Sequence, residues 1–394
     1  MFSEKVVKNL SSSSFIRAMF EEGERLRKIH GADKVYDFSI GNPEFEPPLS
    51  AREALKKLVL DEKPGQHRYM SNAGYADVRE KIAGYINSKT GTNLAGNHIV
   101  MTCGAAAALN VALKSILNSG EEVIVFSPYF VEYLFYIENY GGVPVIVPTN
   151  PDTFEPDVNV LEKYITPKTK GMIINSPNNP TGVVYSENVL KGISSLLESK
   201  QKEFGTQIYV LSDEPYATIV YDGVKVPSIL RIFKNAIIVN SFSKSLALPG
   251  ERIGYIAVNN EINDVETLID ALVFCNRTLG FVNAPALFQK VVAEALDDGV
   301  DVNEYKKRRD ILYNHLIKLG FKCIKPQGAF YLFPKSLIED DVEFTKRAMK
   351  YNLLLVPGKG FGCPGHVRLS YCIDIKTIEN SLPAFEALAK EILG

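Results

Sequence analysis

Short apolar runs alternate with amphipathic stretches between about residues 98 and 258 of the chain. Each run is rich in Val and Ile and lacks regular alternation with polar residues, which indicates a strand buried on both faces. Most of the stretches between the runs carry apolar residues at helical spacing. We therefore predict an α/β fold in which a mostly parallel seven-stranded sheet is flanked by helices on both sides. The runs are HIVMT, EEVIVFSP, VPVIVP, GMIINSP, IYVLSDE, AIIVNSFS and RIGYIAV.

The pattern changes after about residue 285, where long helical stretches are followed by separated strands and a final helix. We therefore predict a large domain over residues 45–285. Residues 1–44 and 286–394 are expected to form a second, smaller α+β domain together. Near the start of the chain, Ser14 is a suitable cap for the helix that follows, and Arg17 on that helix faces either solvent or the ligand pocket.

The composition is that of an ordinary globular protein and provides no bulk charge. The chain has 44 Lys+Arg and 46 Asp+Glu, a net charge of -2, which argues against binding to nucleic acid or to an anionic membrane surface. No stretch approaches the roughly 20 apolar residues that cross a bilayer, so we expect a cytoplasmic protein without a membrane partner. The five cysteines and five histidines form no CxxC or HxxxH pair, so neither a disulfide framework nor a metal site is predicted.

Unusual polar residues follow several predicted strands at their carboxyl ends. Open α/β sheets bind their ligands at this edge. After HIVMT, Gly104 precedes an Ala-rich helix whose first N–H groups can bind a phosphate, although a glycine before a helix is also common as a plain turn. In SFSKSLALPGER, Ser241 offers a hydroxyl and Arg252 a planar guanidinium, and both suit phosphate oxygens.

Lysine and carboxylate candidates lie at the same edge. Lys244, partly desolvated beside Arg252, could attack a carbonyl to form a Schiff base, whereas an isolated loop lysine is more often solvated. Asp213 ends the apolar strand IYVLSD, where a buried carboxylate needs a cation, and a pyridinium nitrogen would serve. A helix cap or an internal salt bridge would explain the same aspartate without a ligand. Tyr216 and Asn179 could bind a phenolic oxygen, although turn chemistry also explains an asparagine in PNNPTG.

The stretches PNNPTG, SDEPY and SFSKSLALPGERIGY occur in this order, and the set resembles the class I/II aminotransferase family. The resemblance covers nearly the whole chain, and the family is that of the aspartate aminotransferase-like enzymes. It implies the fold type I architecture, pyridoxal 5'-phosphate as the cofactor, and transfer of an amino group between an amino acid and a 2-oxo acid by a ping-pong Schiff-base mechanism.

The resemblance also implies roles around the cofactor ring. Lys244 would hold the cofactor as a Schiff base and later carry the proton. Asp213 would pair with the ring nitrogen, and Tyr216 and Asn179 would contact the 3'-oxygen. Phe130 in PYFVEY stands where the family usually places an aromatic ring against the cofactor, although a helix core position explains it equally well.

The phosphate site implied by the resemblance joins two loops. Ser241 and Arg252 would bind the phosphate from one side. The backbone N–H groups of Ala105 and Ala106, directly after Gly104, would complete the site.

The substrate contacts implied by the resemblance lie near the two ends of the chain. Arg368 in HVRLSY would grip the substrate α-carboxylate, with Asn179 beside it, and the backbone of Gly41 in IGNPEFEPP would approach the same substrate. Tyr69 would reach the phosphate of the neighbouring subunit, which implies a homodimer.

Two departures from the family pattern keep the substrate open. Some members that use acidic substrates have a lysine where this chain has Ala106, and Phe130 stands in place of a tryptophan. Glutamate and 2-oxoglutarate are the expected shared pair, with aspartate, alanine or aromatic amino acids as partners. A carbon-sulfur β-lyase on the same scaffold is the alternative, and a non-catalytic cofactor-binding regulator is less favoured because no helix-turn-helix domain is appended.

Overall fold

The structure is a computed structural model that describes residues 2–11 and 15–394. The side chains of residues 8, 11, 15–18 and 20 lie outside the description. The expectations for Ser14 and for the Arg17 side chain therefore fall outside the described residues.

Strands and helices alternate through most of the chain. The strands are β1 (Tyr36–Asp37), β2 (Ile99–Thr102), β3 (Glu122–Ser127), β4 (Val143–Pro148), β5 (Thr169–Asn175), β6 (Tyr209–Asp213), β7 (Ala236–Ser241), β8 (Gly254–Val258), β9 (Tyr331–Leu332), β10 (Leu353–Leu354), β11 (Val356–Pro357) and β12 (Val367–Ser370). The helices are α1 (Glu4–Ser11), α2 (Phe15–His30), α3 (Leu49–Leu60), α4 (Ala76–Thr90), α5 (Ala105–Ile116), α6 (Glu132–Asn139), α7 (Val158–Glu162), α8 (Glu187–Phe204), α9 (Ile229–Ile232), α10 (Phe242–Ser245), α11 (Val265–Thr278), α12 (Ala286–Glu294), α13 (Val302–Lys318), α14 (Asp341–Met349) and α15 (Ile375–Leu393).

Strands β2 to β8 form one seven-stranded sheet in the order β2-β8-β7-β6-β5-β3-β4. Strand β8 runs antiparallel to both neighbours, and the other pairs are parallel. The predicted mostly parallel seven-stranded sheet is therefore confirmed, and each predicted run overlaps one of its strands. No strand boundary differs from its predicted run by more than two residues; β5, for example, begins at Thr169, two residues before the run GMIINSP.

Successive strand residues bury opposite faces of this sheet. In β7, Ile238 packs into a core that includes residues of α4, α8 and α12. Its neighbours Ile237 and Val239 pack into another core, with residues of α5, α6 and α11. Helices therefore cover both faces, which explains why the strand sequences are continuously apolar.

The elements of the N-terminal and C-terminal parts build a smaller α+β unit. Strand β1 pairs in parallel with β10, and β12 pairs antiparallel with both β9 and β11. Phe38 shares a separate core with Leu312 of α13 and Phe385 of α15. Helix α12 packs against α3 and α4 instead, and the exact division of the chain into 45–285 and the remainder stays a prediction.

No helix in the described part of the chain combines the length and apolarity needed to cross a membrane.

Candidate active site

A cavity of about 310 Å³ lies at the carboxyl ends of the parallel strands. It collects side chains from both the large sheet and the smaller unit. Most of the residues singled out from the sequence line it: Gly41, Ala105, Ala106, Phe130, Asn179, Asp213, Tyr216, Ser241, Lys244, Arg252 and Arg368.

Lys244 reaches the cavity from the short helix α10, directly after β7. Ser241 is the N-cap of this helix, and its hydroxyl oxygen accepts a hydrogen bond of 3.1 Å from the Ser243 N–H. The Lys244 Nζ donates a hydrogen bond of 2.6 Å to the carbonyl oxygen of Gly41. Burial lowers the pKa of Lys244 to about 8, and the positive charges of Arg368 and Arg252 act in the same direction. A substantial fraction of the amine is therefore neutral near pH 8, as a nucleophile requires.

Asp213 is the last residue of β6 and lies opposite Asn175 of β5. Its Oδ2 accepts a hydrogen bond of 2.5 Å from the Tyr133 hydroxyl. Its Oδ1 is buried and has no hydrogen-bond partner among the described residues. Burial raises the pKa of Asp213 to about 6, while the hydrogen bond from Tyr133 opposes that rise. The carboxyl group is therefore one donor short of a satisfied environment.

Arg368 projects from β12 and is 2% exposed. Its Cζ lies 4.8 Å from the ring centroids of both Tyr331 and Phe361. Nη2 donates to the Ser39 carbonyl oxygen at 2.6 Å, and Nη1 donates to the Asn179 Oδ1 at 3.1 Å. The buried Nε lacks a hydrogen-bond partner within the described chain. The guanidinium is therefore rigidly held, and these two hydrogen bonds use only two of its five N–H groups, so others remain available to an anion.

Tyr216 and Asn179 are held by neighbours that the sequence did not indicate. The Tyr216 and Tyr331 hydroxyl oxygens lie 2.8 Å apart. The Asn179 N–H donates a hydrogen bond of 2.7 Å to the Oδ1 of Asn175, the last residue of β5. These contacts fix both groups at one side of the cavity.

The start of α5 meets the Arg252 side chain. Gly104 has φ +87° and precedes the helix, which has no side-chain cap at this end. The first N–H groups of a helix have no intrahelical acceptor, so they are available to an anion. Arg252 donates to the carbonyl oxygens of Pro249 at 2.9 Å and Cys103 at 3.4 Å. A Cβ on Gly104 would lie 2.7 Å from the Arg252 Nη2, so glycine is required both for its backbone conformation and for this close approach.

The two aromatic residues Phe130 and Tyr69, both singled out from the sequence, differ in their relation to the cavity. Phe130 lines the cavity and packs edge-on against Tyr133, with ring centroids 5.5 Å apart. Tyr69 is 91% exposed and lies outside the described lining of the cavity.

Sequence reasoning missed five polar side chains that line the cavity: Tyr133, Tyr136, Asn175, Ser243 and Tyr331. Two signals were present. Tyr133 lies three residues after Phe130, a spacing that places both on one helical face, and Asn175 ends a strand next to the strand of Asp213.

A family model for class I and II aminotransferases matches residues 33–385. The chain belongs to this family. It is 32% identical to an aspartate aminotransferase of Thermotoga maritima, over 97% of this chain and 98% of the relative. It is also 32% identical to aromatic-amino-acid aminotransferase 2 of Thermococcus litoralis, over 96% of each chain. The crystal structure of an aminotransferase from Eubacterium rectale superimposes with a TM-score of 0.96 at 42% identity and covers 100% of each chain.

The protein is therefore a pyridoxal phosphate-dependent aminotransferase with the fold type I architecture. The matches named above are all aminotransferases, so they give no support to the lyase or regulator alternatives.

The chemistry of the cavity fits pyridoxal phosphate. The orphaned Oδ1 of Asp213 can accept from a protonated ring nitrogen. The start of α5 and the Arg252 guanidinium suit a phosphate dianion. The Lys244 amine lines the same cavity, and burial lowers its pKa to about 8. The described residues therefore offer partners for the ring nitrogen, the phosphate and the carbonyl carbon of the cofactor.

Proposed function

We propose that the aminotransferase moves an amino group between an amino acid and a 2-oxo acid in this cavity, with Lys244 as the catalytic amine. The observation that carries the proposal is the meeting of Lys244, Asp213 and Arg368 in one cavity. Lys244 can react with the cofactor carbonyl, Asp213 can pair with its ring nitrogen, and Arg368 can bind the substrate carboxylate.

In this proposal, five residues hold the cofactor ring. Asp213 pairs with the ring nitrogen through its free carboxyl oxygen. Tyr216 and Asn179 contact the phenolic oxygen, and Phe130 lies against the ring. Lys244 forms the covalent link, for which its lowered pKa is favourable.

The phosphate is assigned to the junction of two loops. Arg252 and the Ser241 hydroxyl donate from one side, and the N–H groups of Ala105 and Ala106 donate from the start of α5. Because the Ser241 oxygen already accepts from the Ser243 N–H, its own proton remains available to the phosphate. Gly104 allows the helix and the Arg252 guanidinium to approach each other this closely.

Bound pyridoxal phosphate supplies an electron sink that stabilises negative charge at the substrate Cα. Lys244 Nζ carries the proton that leaves this carbon, as a general base and then a general acid. Arg368 binds the substrate α-carboxylate, with Asn179 and the Gly41 backbone beside it, and so holds the Cα within reach of Lys244. The amino acid and the 2-oxo acid occupy this cavity in turn, so ping-pong kinetics are expected.

Glutamate and 2-oxoglutarate are the proposed shared pair, with aspartate, alanine or an aromatic amino acid as the other donor. The names of the relatives support aspartate and aromatic donors. The cations among the described lining residues are Lys244, Arg252 and Arg368, and all three already have a role. A second substrate carboxylate would therefore need a cation from outside this lining.

A half-reaction screen tests the activity and the donor together. The absorbance of the bound cofactor is followed as single amino acids are added to the loaded enzyme, without an acceptor. Glutamate should change the spectrum, and 2-oxoglutarate should reverse the change. The order of aspartate, alanine, phenylalanine and tyrosine then gives the second substrate. Failure of every amino acid to change the spectrum would overturn the proposal, whereas pyruvate release from cystathionine would indicate β-elimination.

A homodimer with shared active sites is also proposed. Tyr69 supports it, because this large side chain is 91% exposed in the single chain and is therefore free to contact a second copy. Co-expressing Lys244→Ala and Tyr69→Ala chains tests the arrangement. A mixed dimer would contain one site with both native residues, so random assembly should restore about a quarter of the wild-type sites. Activity no greater than the sum of the separate variants would contradict a shared site.

We further propose a cytoplasmic location, without nucleic-acid or membrane partners. The near-neutral net charge of -2 supports the absence of nucleic-acid and anionic-membrane partners, because it provides no bulk attraction to polyanions. Cell fractionation would test it, with recovery in the membrane pellet as the contrary result.

A further inference from the structure

Tyr133 is buried under the active-site cavity, where its hydroxyl meets Asp213. The residue is 2% exposed and lies in helix α6, whereas Asp213 ends strand β6. The hydroxyl donates a hydrogen bond of 2.5 Å to the Asp213 Oδ2. A donor on another element thus holds one of the two carboxyl oxygens and leaves the other without a described partner.

We propose that Tyr133 is a positioning residue for Asp213: it fixes the rotation of the carboxyl group and keeps that group ionised for the cofactor ring. The inference rests on the role proposed above for Asp213. Tyr133 itself is not assigned a contact with substrate or cofactor.

The direction of proton sharing follows from the surroundings of the pair. Burial, together with the negative charge of Asp213, raises the pKa of Tyr133 well above its ordinary value. The phenol therefore keeps its proton and acts as a donor. Burial also raises the pKa of Asp213 and so favours its neutral acid form. The hydrogen bond from Tyr133 counteracts this rise and favours the carboxylate.

Other titratable groups surround Asp213, and none of them replaces this donor among the hydrogen bonds of the described residues. The groups that interact electrostatically with Asp213 are Tyr136 on α6 and Glu214 and Tyr216 on the loop after β6. The cations that line the same cavity are Lys244, Arg252 and Arg368. Glu214 hydrogen-bonds Ser212, and Tyr216 hydrogen-bonds Tyr331.

The test is the pKa of Asp213 in the cofactor-free enzyme, measured by carbon NMR with ¹³C-labelled aspartate carboxyl groups. The Asp213→Asn variant identifies the resonance. A hydrogen bond to a charged group is worth roughly one to two powers of ten in an equilibrium constant. Tyr133→Phe should therefore raise the pKa of Asp213 by about 1 to 2.

Tyr140→Phe is the matched control. Tyr140 follows α6 directly, and its hydroxyl donates a hydrogen bond of 2.9 Å to the Asn110 Oδ1. It lies outside the described cavity lining. This variant loses a comparable hydrogen bond from the same part of the fold and should leave the pKa of Asp213 unchanged. An unchanged pKa in Tyr133→Phe, or an equal change in both variants, would overturn the proposal.

A second substitution retains the hydroxyl group in case Tyr133→Phe fails to fold. Incorporation of 3-fluorotyrosine at position 133 makes the phenol a stronger donor, so the pKa of Asp213 should fall below the wild-type value. No fall would contradict the proposal.

Steady-state kinetics test the positioning role of Tyr133 independently of the NMR titration. Tyr133→Phe should lower kcat about 10-fold while the KM for the amino acid stays within about 2-fold, because the substrate clamp at Arg368 is untouched. A rise in KM with an unchanged kcat would contradict the proposal. If the wild-type enzyme itself showed no half-reaction, the proposed function would fail, but the NMR titration would still decide whether Tyr133 controls Asp213.

Discussion

Lys244 Nζ and the carbonyl oxygen of Gly41 lie 2.6 Å apart and form a hydrogen bond between the large sheet and the smaller unit. Gly41 also packs directly under the Tyr331 ring. A Cβ at position 41 would overlap the Tyr331 hydroxyl and lie 3.0 Å from its Cζ. The glycine therefore allows its backbone to approach both the amine and the side of the cavity that carries Arg368.

Gly41→Ala should displace Tyr331 and lower kcat/KM at least about 10-fold. The free energy of unfolding should fall by about 1 to 3 kcal/mol, as in other overpacked cores. Tyr331→Phe removes the overlapping hydroxyl, so Gly41→Ala should do less damage in that background. Both losses caused by Gly41→Ala should be smaller when measured against Tyr331→Phe alone than when measured against the wild type. Steady-state kinetics and urea unfolding measure the two effects. If the second substitution brought no recovery, the steric explanation would be wrong.

Arg368→Lys should mainly weaken substrate binding. A lysine cannot reproduce a planar fork held between two aromatic rings, so the KM for the amino acid should rise at least about 10-fold. The fall in kcat should be smaller. Arg347→Lys is the control, because Arg347 forms a partly exposed ion pair with Glu343 away from the cavity. An unchanged KM in Arg368→Lys would argue against the carboxylate clamp.

The cofactor-free enzyme should lose stability as the pH rises from about 4 to 7. Burial raises the pKa of Asp213 to about 6 and that of Glu214 to about 7, above the values of 3.8 and 4.5 that apply without burial. The folded state therefore binds more protons than the unfolded state in this range. The stabilisation is complete below the unfolded pKa values and is lost as the pH passes the folded ones.

Asp213→Asn removes part of this titration. At pH 8 the cofactor-free variant should be more stable than the wild type by up to about 3 kcal/mol, because no buried charge remains at this position. Its affinity for pyridoxal phosphate should fall. Glu214→Gln should also gain stability but should retain the cofactor, since Glu214 lies outside the described lining of that cavity. Urea unfolding at pH 5 and pH 8 checks the pair, and a loss of stability in Asp213→Asn at pH 8 would contradict the account.

Lys244→Ala should abolish turnover while some cofactor remains bound through the phosphate and ring contacts. Turnover assays and dialysis of the loaded protein measure the two properties. Lys325→Ala is a suitable control, because Lys325 pairs with Asp310 on the surface. Normal transamination by Lys244→Ala would remove this residue from the mechanism.

Much of the fold and cavity was predictable because each depends on local patterns. Strands buried on both faces are continuously apolar, and the polar residues that follow them, such as Asp213, Ser241 and Lys244, must share one edge of the sheet. The start of α5 was predictable at this edge because a glycine directly precedes its first turn, and its role as an anion site stays a proposal.

The remainder depends on contacts between distant segments. Tyr133 occurs in an aromatic stretch that is equally suited to a core, and only the packing of α6 on β6 reveals its hydrogen bond to Asp213. Tyr331 reaches Tyr216 from the smaller unit, a relationship without any local sequence pattern. The role of Tyr69 involves a second chain, so its assignment stays a prediction.

The central claim is that Lys244 holds the cofactor, and the most direct test is chemical mapping of that bond. The loaded enzyme is reduced with borohydride and digested, and the labelled peptide is identified by mass spectrometry. The account predicts a pyridoxyl group on Lys244 and its loss when the enzyme is first converted by an amino acid. A label on another lysine of a fully active enzyme would contradict it.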